Sequence, residues 1–573
     1  MRWRERTRWT LWSDAGARWG VRRSGFDSRF SLSHRADDES EAQPMIDSTT
    51  RNGTMRLHDF LDFQARERPE AAFIVQDRRC LSYRQAQAET HRLARALSAA
   101  GLGIGDRVAI VAKNGIEYIL LYFAASRVGV VPAPLNYRLA PTEWAYMIND
   151  ARARIVFAGR DYLPAIDDIR PQLDAVERFI ALDGRASDWE SYQQWVADQP
   201  ARPLERFFSD DVDAFQLYTS GTTGRPKGAI LTHRTVTACI LQMALALDVE
   251  PGARHLMIVP LYHIFGVGWT YLCTYWGGCL VIRADFDPHA VIHALSEEHI
   301  GYAPLVPAMM QACLVTVADV ADRRYDHLRM IIYGGSPIAE STLRQAHETF
   351  RCQFTQIYGM TEAAPLSLLL PSDHRRAFGE RPDLLLSAGR AVVGTEVRIV
   401  DGDDRPLPHG ALGEVVARGP QVMRGYWNRP EESTEALRGG WMHTGDAGTL
   451  DEEGYLYIRD RVKDIIVSGG EKISSRAVEE VLFQHPAIAD AAVIGVPHPQ
   501  WGETVKAIVV LKEGATATEA EIVEFCRGKL GGLQRPRSVE FVRGLPRNPS
   551  GKVLKRVLRE PYWAGHERRV GGA

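Results

Sequence analysis

YTSGTTGRPKG, at Tyr218–Gly228, follows the short apolar run AFQLY. Glycines let backbone amides turn inward onto phosphate oxygens, and hydroxyls add further donors. Lys227 adds a mobile positive charge. The segment is not a Walker A loop, because Pro226 stands where that pattern needs Gly followed by Lys. Eleven ordered positions of this kind are far more specific than a Gly/Thr-rich linker.

Working outward, the N-terminal side alternates apolar strands with helices. Leu57, Phe60, Leu61 and Gln64 follow helical spacing up to Pro69, and Ser82 reads as an N-cap. Strands are expected at Arg107–Ala112, Val130–Asn136, Ala153–Gly159, Leu256–Pro260, Gly277–Arg283 and Arg329–Gly335, with a helix over Gly115–Val128. This alternation predicts α/β layers with largely parallel sheets. After Ala388, TEVRIVD, GEVVARG and GYLYIRD read as short strands of a β-rich module. Beyond Lys463, helices (Ser475–Gln484, Glu519–Lys529) mix with strands (Ala491–Val496, Lys506–Leu511) in a compact α+β unit. The charged stretch RDRVKD, Arg459–Asp464, reads as a hinge between them. The fold class is α/β: a large N-terminal domain of layered subdomains plus a β-rich subdomain, and a small mobile α+β C-terminal domain. The expected boundaries are 1–54 for an extension, 55–460 for the large domain, 464–560 for the small one and 561–573 for a tail, with the hinge near 461–463.

Further segments carry chemistry: YGGSPI (Tyr333–Ile338), QIYGMTEAAP (Gln356–Pro365), WMHTGD (Trp441–Asp446), PRNPSGKVLKR (Pro546–Arg556) and PLYHIFGVG (Pro260–Gly268). Together with Tyr218–Gly228, and in this order, they resemble the adenylate-forming superfamily, which includes acyl-CoA synthetases, luciferases and peptide-synthetase adenylation domains. The resemblance runs from about Leu57 to Glu560. It implies that Thr219, Ser220, Gly221, Thr222, Thr223, Gly224 and Lys227 hold the phosphates of ATP. Gly335, Ser336 and Pro337 would face the adenine, and Tyr358 would stack on it beside Gly359 and Met360. Thr361 would donate to the α-phosphate. Glu362, with Thr219, would hold Mg²⁺, a hard cation suited to oxygen ligands. Asp446 would accept from the ribose hydroxyls, and Arg461 would reach the ribose or the α-phosphate. Lys552 matches the family's catalytic lysine, whose ammonium offsets charge building on the phosphoryl oxygens. His263 would border the acyl site.

The implied reaction has two halves: acid and ATP give acyl-AMP and pyrophosphate, then the CoA thiol displaces AMP. The C-terminal unit would rotate about Lys463, presenting either Lys552 or the VSGGEKISS loop, where Gly470 matches a position lining the pantetheine tunnel. No Asp lies between Met257 and Ile282 to pair with an amino-acid substrate, and 21 residues follow Lys552. Both favour a stand-alone ligase, nearest in look to bacterial medium- and long-chain fatty-acyl-CoA synthetases. The alternatives are delivery to an acyl carrier protein, or an aryl or alicyclic acid as substrate. The pocket is expected around His263–Trp269, Val306 and Gly359–Ala364. Ile264, Phe265, Val267, Trp269 and Met360 would give it an apolar lining, hence a hydrophobic acid.

Composition fits a cytoplasmic enzyme. A net charge of −3 gives no pull toward nucleic acid. Seven cysteines without CxxC spacing argue against disulfides and zinc and for a reducing cytosol. Met257–Ile282 lacks charge, yet Pro260, Gly266, Gly268, Gly277 and Gly278 suit strand–turn–helix–strand better than a membrane span. Met1–Arg35 holds nine arginines, three acids and four tryptophans. It reads as a non-folding extension, with a targeting peptide, peripheral membrane contact or nucleic-acid contact as other readings. The oligomeric state is not legible.

Overall fold

The computed structural model describes residues 55–184, 187–204, 206–219, 225–469, 471–547 and 553–564. The expectations placed on Met1–Thr54, on Ser220, Gly221, Thr222, Thr223 and Gly224, on Gly470 and on Lys552 fall outside the described residues.

Helix Leu57–Glu67 opens the described chain. Ser82 caps helix Tyr83–Ala99: its Oγ accepts from the Gln85 amide while the Gln85 side chain accepts from the Ser82 amide. Each thus satisfies a donor that the first helical turn would leave open.

A nine-stranded sheet forms the centre. Its parallel strands run Gln353–Met360, Met330–Gly334, Ile300–Leu305, Arg254–Met257, Cys279–Ile282 and Ala72–Gln76. Antiparallel strands close both edges, including Ala363–Leu369 beside Gln353–Met360 and Arg79–Ser82 beside Ala72–Gln76. A second, all-parallel sheet takes Val131–Pro134, Arg107–Val111, Ile155–Ala158, Arg178–Ala181 and Glu190–Ser191. The buried helix Ile116–Val128 packs into the same apolar core as the first sheet.

The uncharged run resolves into strand Arg254–Met257, helix Ile264–Tyr275 and strand Cys279–Ile282. Among the described residues no helix is long and apolar enough to cross a membrane. The strand expected over Leu256–Pro260 stops at Met257. Beyond it the side chain of Asn114 takes over the ladder, donating to Val259 O (3.1 Å) and accepting from Leu261 N (2.9 Å).

The β-rich module is a four-stranded antiparallel sheet of Glu396–Val400, Gly413–Arg418, Met442–Leu450 and Leu456–Arg461. In the C-terminal unit the two expected strands are longer than their apolar cores suggest. Ile488–His498 and Gly502–Leu511 form one long hairpin. The helix expected to reach Lys529 ends at Phe525, and the chain then turns through Gly528 at φ +80°.

Candidate active site

The phosphate-loop segment is a hairpin. Strand Asp213–Thr219 pairs antiparallel with Lys227–Thr232, and Thr219 sits opposite Lys227. Tyr218 roots the hairpin rather than serving the site: its hydroxyl lies 2.8 Å from the Asp150 carboxylate. One register step on, the Thr219 hydroxyl donates to Glu362 Oε1 at 3.4 Å.

Gln353–Met360 and Ala363–Leu369 make a second hairpin whose tip is Thr361–Glu362. The motif QIYGMTE is therefore strand almost to its end. Glu362 is buried, and Tyr426 donates to the same Oε1 at 2.7 Å. The Glu362 carbonyl accepts from Met423 N at 2.7 Å, so the tip is fixed by backbone as well. Lys227 Nζ lies 5.2 Å from the Tyr426 ring centroid, inside cation–π range. Burial, then the adjoining Glu362 carboxylate, push the Tyr426 phenol well above its ordinary value, so it stays a donor. Tyr426 belongs to GYWNRP, Gly425–Pro430, a stretch given no role above.

On the other side of the tip, Tyr358 donates to Asp446 Oδ2 at 2.7 Å. Arg461 Nε meets Asp446 Oδ1 at 2.9 Å. Thr444 orients both partners: its hydroxyl accepts from Asp446 N (3.0 Å) and its carbonyl accepts from Arg461 (3.2 Å). Burial, then Asp446, raise the Tyr358 phenol well above its usual range. Each carboxylate oxygen has two lone pairs and can accept from more than one donor at once.

Tyr333–Ile338 leaves the end of the neighbouring strand. Gly335 has φ +81°, and Gly335, Ser336 and Pro337 are exposed on the turn. A Cβ on Gly334 would lie 2.4 Å from the Ile357 carbonyl oxygen, so this position needs glycine to let the two strands close.

A narrow apolar gap of about 10 Å³ lies beside Thr361. Its walls are Leu231, Thr235, Val236 and Cys239, from the hairpin and the helix His233–Ala246, with Ile264, Thr361, Ala364 and Gln421. The sequence reading found Ile264 and the Gly359–Ala364 segment but missed helix His233–Ala246, whose apolar residues carry no motif. Val267 and Trp269 do not line this cleft. Both are fully buried, and the Trp269 ring lies 5.3 Å from that of His255. At 100° per residue Trp269 is turned about 140° from the face of Ile264, whereas Val267, three positions on, stays within about 60° of it and is buried on that side. His263 is the N-cap residue of that helix, with its ring 4.4 Å from Tyr262, and the cleft walls do not include it.

Lys463 lies in the turn Val462–Asp464 between the two units. Its carbonyl accepts from Arg559 at 3.1 Å, and burial lowers the pKa of its ammonium.

Two oxygen ligands of Mg²⁺ type, Glu362 and Thr219, thus converge beside Lys227. The one carboxylate and one hydroxyl fit a cation that takes its remaining ligands from phosphates and water. A separate acidic group, His58, Asp59 and Asp62, is spoken for: Asp62 accepts both Arg127 guanidinium nitrogens at 2.6 and 2.9 Å.

Residues 61–427 match the AMP-binding enzyme family, and residues 477–552 match the AMP-binding enzyme C-terminal domain. The chain belongs to the AMP-binding enzyme family. This AMP-binding enzyme is 36% identical to a fatty acid–[acyl-carrier-protein] ligase, ScoC, of Streptomyces coeruleorubidus, over 89% of this chain and 96% of that protein. It is 36% identical to the long-chain-fatty-acid–CoA ligase FadD13 of Mycobacterium tuberculosis, over 84% of this chain and 93% of that protein. Among solved structures, ATP-bound MatB from Rhodopseudomonas palustris superposes with a TM-score of 0.80 at 30% identity, covering 90% of this chain and all of that one. The AMP-binding enzyme shares with it a mixed α/β architecture with a large N-terminal and a small C-terminal domain.

Proposed function

We propose that this protein is an AMP-forming carboxylic acid–CoA ligase acting on a hydrophobic acid. The supporting observation is the position of Thr361. It sits at the hairpin tip between Tyr358, bonded to Asp446, and Glu362, bonded to Tyr426 and Thr219, and it also walls the apolar cleft. An acid whose tail parts these apolar side chains and packs among them would bring its carboxylate to the phosphate-holding hairpin.

In the first half-reaction a carboxylate oxygen forms a bond to the α-phosphorus, and the bond to pyrophosphate breaks. Tyr358 stacks on the adenine and Asp446 accepts from the ribose, with Arg461 held beside it. Thr361 and Lys227 donate to phosphate oxygens, where charge grows in the transition state. Glu362 and Thr219 are the residues that would hold Mg²⁺, which supplies further charge neutralisation on the phosphates when bound. In the second half-reaction the CoA sulfur bonds to the acyl carbon and AMP leaves. Lys552 serves the first step, and the loop around Gly470 admits the thiol in the second. A reducing, cytoplasmic setting fits seven cysteines that are all unpaired.

Lys552→Ala separates these roles. We expect pyrophosphate release without CoA to fall by about 100-fold, as for loss of one charge-stabilising group. Thioester formation from supplied acyl-AMP should stay within about twofold of the parent. Equal loss of both half-reactions would sink the assignment. A second reading, transfer to an acyl carrier protein, shares every residue named so far, and the likeness to ScoC favours it. Replacing CoA by phosphopantetheinylated carrier protein in the second assay distinguishes the two.

A further inference from the structure

The strand Leu456–Arg461 ends at the hinge, and its Asp460 reaches across it. One carboxylate oxygen, Oδ2, accepts from Ser475 N (2.6 Å), Ser475 Oγ (2.5 Å) and Arg476 N (3.3 Å). These donors belong to the first turn of helix Ser475–Leu482, in the C-terminal unit. A carboxylate there satisfies open amides and lies at the positive end of the helix dipole. Beside it, the Ser474 hydroxyl donates to the Arg459 carbonyl at 2.7 Å. Asp460 and Ser475 are both buried.

Lys555 fixes the direction of this contact. Its Nζ donates to Ser475 Oγ at 2.5 Å and pairs with Glu479 at 2.8 Å. With a cation donating into Ser475 Oγ, the hydroxyl proton of Ser475 points to Asp460. Four residues on, Arg559 grips Asp464 (2.7 Å) and the Lys463 carbonyl (3.1 Å). The two grips differ in kind. Arg559, Asp464 and the peptide following Lys463 lie on one side of the Lys463 torsions, so they travel together when the unit turns. Asp460 and Ser475 lie on opposite sides, so a large turn about Lys463 parts them.

We propose that Asp460 is a positioning residue, a latch that holds the C-terminal unit in the orientation described here and must release for the alternate half-reaction. Arg559 is the permanent grip that makes the peptide after Lys463 part of the moving body. The inference rests on the two-half-reaction reading above. Removing the latch charge raises the population of the other orientation, so it trades one half-reaction against the other.

The test compares the full-length parent with Asp460→Asn and Ser475→Ala in two assays: pyrophosphate release without CoA, and thioester formation from supplied acyl-AMP. The expected result is a shift of about tenfold in the ratio of the two rates, in the same direction for both variants, because bonds to a charged group are among the stronger ones. Arg559→Met is expected to lower both rates and the melting temperature together. An unchanged ratio in Asp460→Asn, or opposite shifts in the two latch variants, overturns the latch. A ratio that moves only in step with lost thermal stability also overturns it. Lys552→Ala run alongside separates the two failures: if it spares pyrophosphate release, the underlying reading falls; if it abolishes release while the latch variants do nothing, only the latch falls.

Discussion

At the residue scale, the site pairs each acid with a phenol that cannot ionise near neutrality. Tyr358 serves Asp446 and Tyr426 serves Glu362. Both phenols are pushed upward by burial first and by the adjoining carboxylate second. The acids are thereby held in one rotamer before ATP arrives. Tyr358→Phe keeps the aromatic face and removes one charge-assisted bond. We expect the KM for ATP in pyrophosphate release to rise by about tenfold with kcat nearly constant, the pattern of lost binding that is equal in ground and transition states. A fall in kcat at unchanged KM would place the phenol in the chemistry instead.

At the element scale, two hairpins meet a helix. The tip Thr361–Glu362 joins the carboxylate cluster to the apolar gap, and helix His233–Ala246 supplies the far wall. Cys239 stands midway along that wall, 3.9 Å from the place a Cβ on Gly268 would occupy. Cys239→Phe overfills this contact between facing helices. The KM for larger acids should rise at least about tenfold while the KM for ATP holds, since overpacking by an aromatic ring displaces whatever shares the space. Measuring both constants with acids of increasing length checks this.

The hairpin residues were legible in the sequence because phosphate and metal binding demand unusual residue types in fixed order. Thr219, Lys227, Tyr358, Glu362, Asp446 and Arg461 stand together as their motifs suggest. The cleft was not legible. Its walls are ordinary apolar side chains, and only helix packing decides which face they point to. Trp269 shows the cost of reading hydrophobicity without periodicity. Tyr426 and Asp460 were missed for another reason: each acts through a partner distant in sequence, and a lone Tyr or Asp carries no such information.

At the scale of the whole molecule, burial has a cost in acid. His233 and His255 are fully buried, and desolvation lowers both pKa values to about 3. The unfolded chain takes up these protons near pH 6.5 while the folded chain refuses them, so stability is complete above pH 6.5 and declines as pH falls toward 3. His255 alone accounts for about 2 kcal/mol of that loss at pH 5. Its ring lies among Trp269, Trp276 and Tyr302, a setting that accepts phenylalanine. His255→Phe should shrink the difference in denaturation midpoint between pH 7.5 and pH 5, read by tryptophan fluorescence. An identical difference in both proteins would discount this histidine.

The distribution of thiols offers a practical handle on the proposed rotation of the C-terminal unit. Of the seven cysteines, Cys80 alone is exposed, and it sits on the edge strand Arg79–Ser82 of the central sheet. A maleimide dye added to the native fold should therefore label the large domain at one defined point. One engineered surface cysteine in the C-terminal unit then completes a donor–acceptor pair, and the proposed swing about Lys463 would become a distance that can be followed in real time, turnover by turnover.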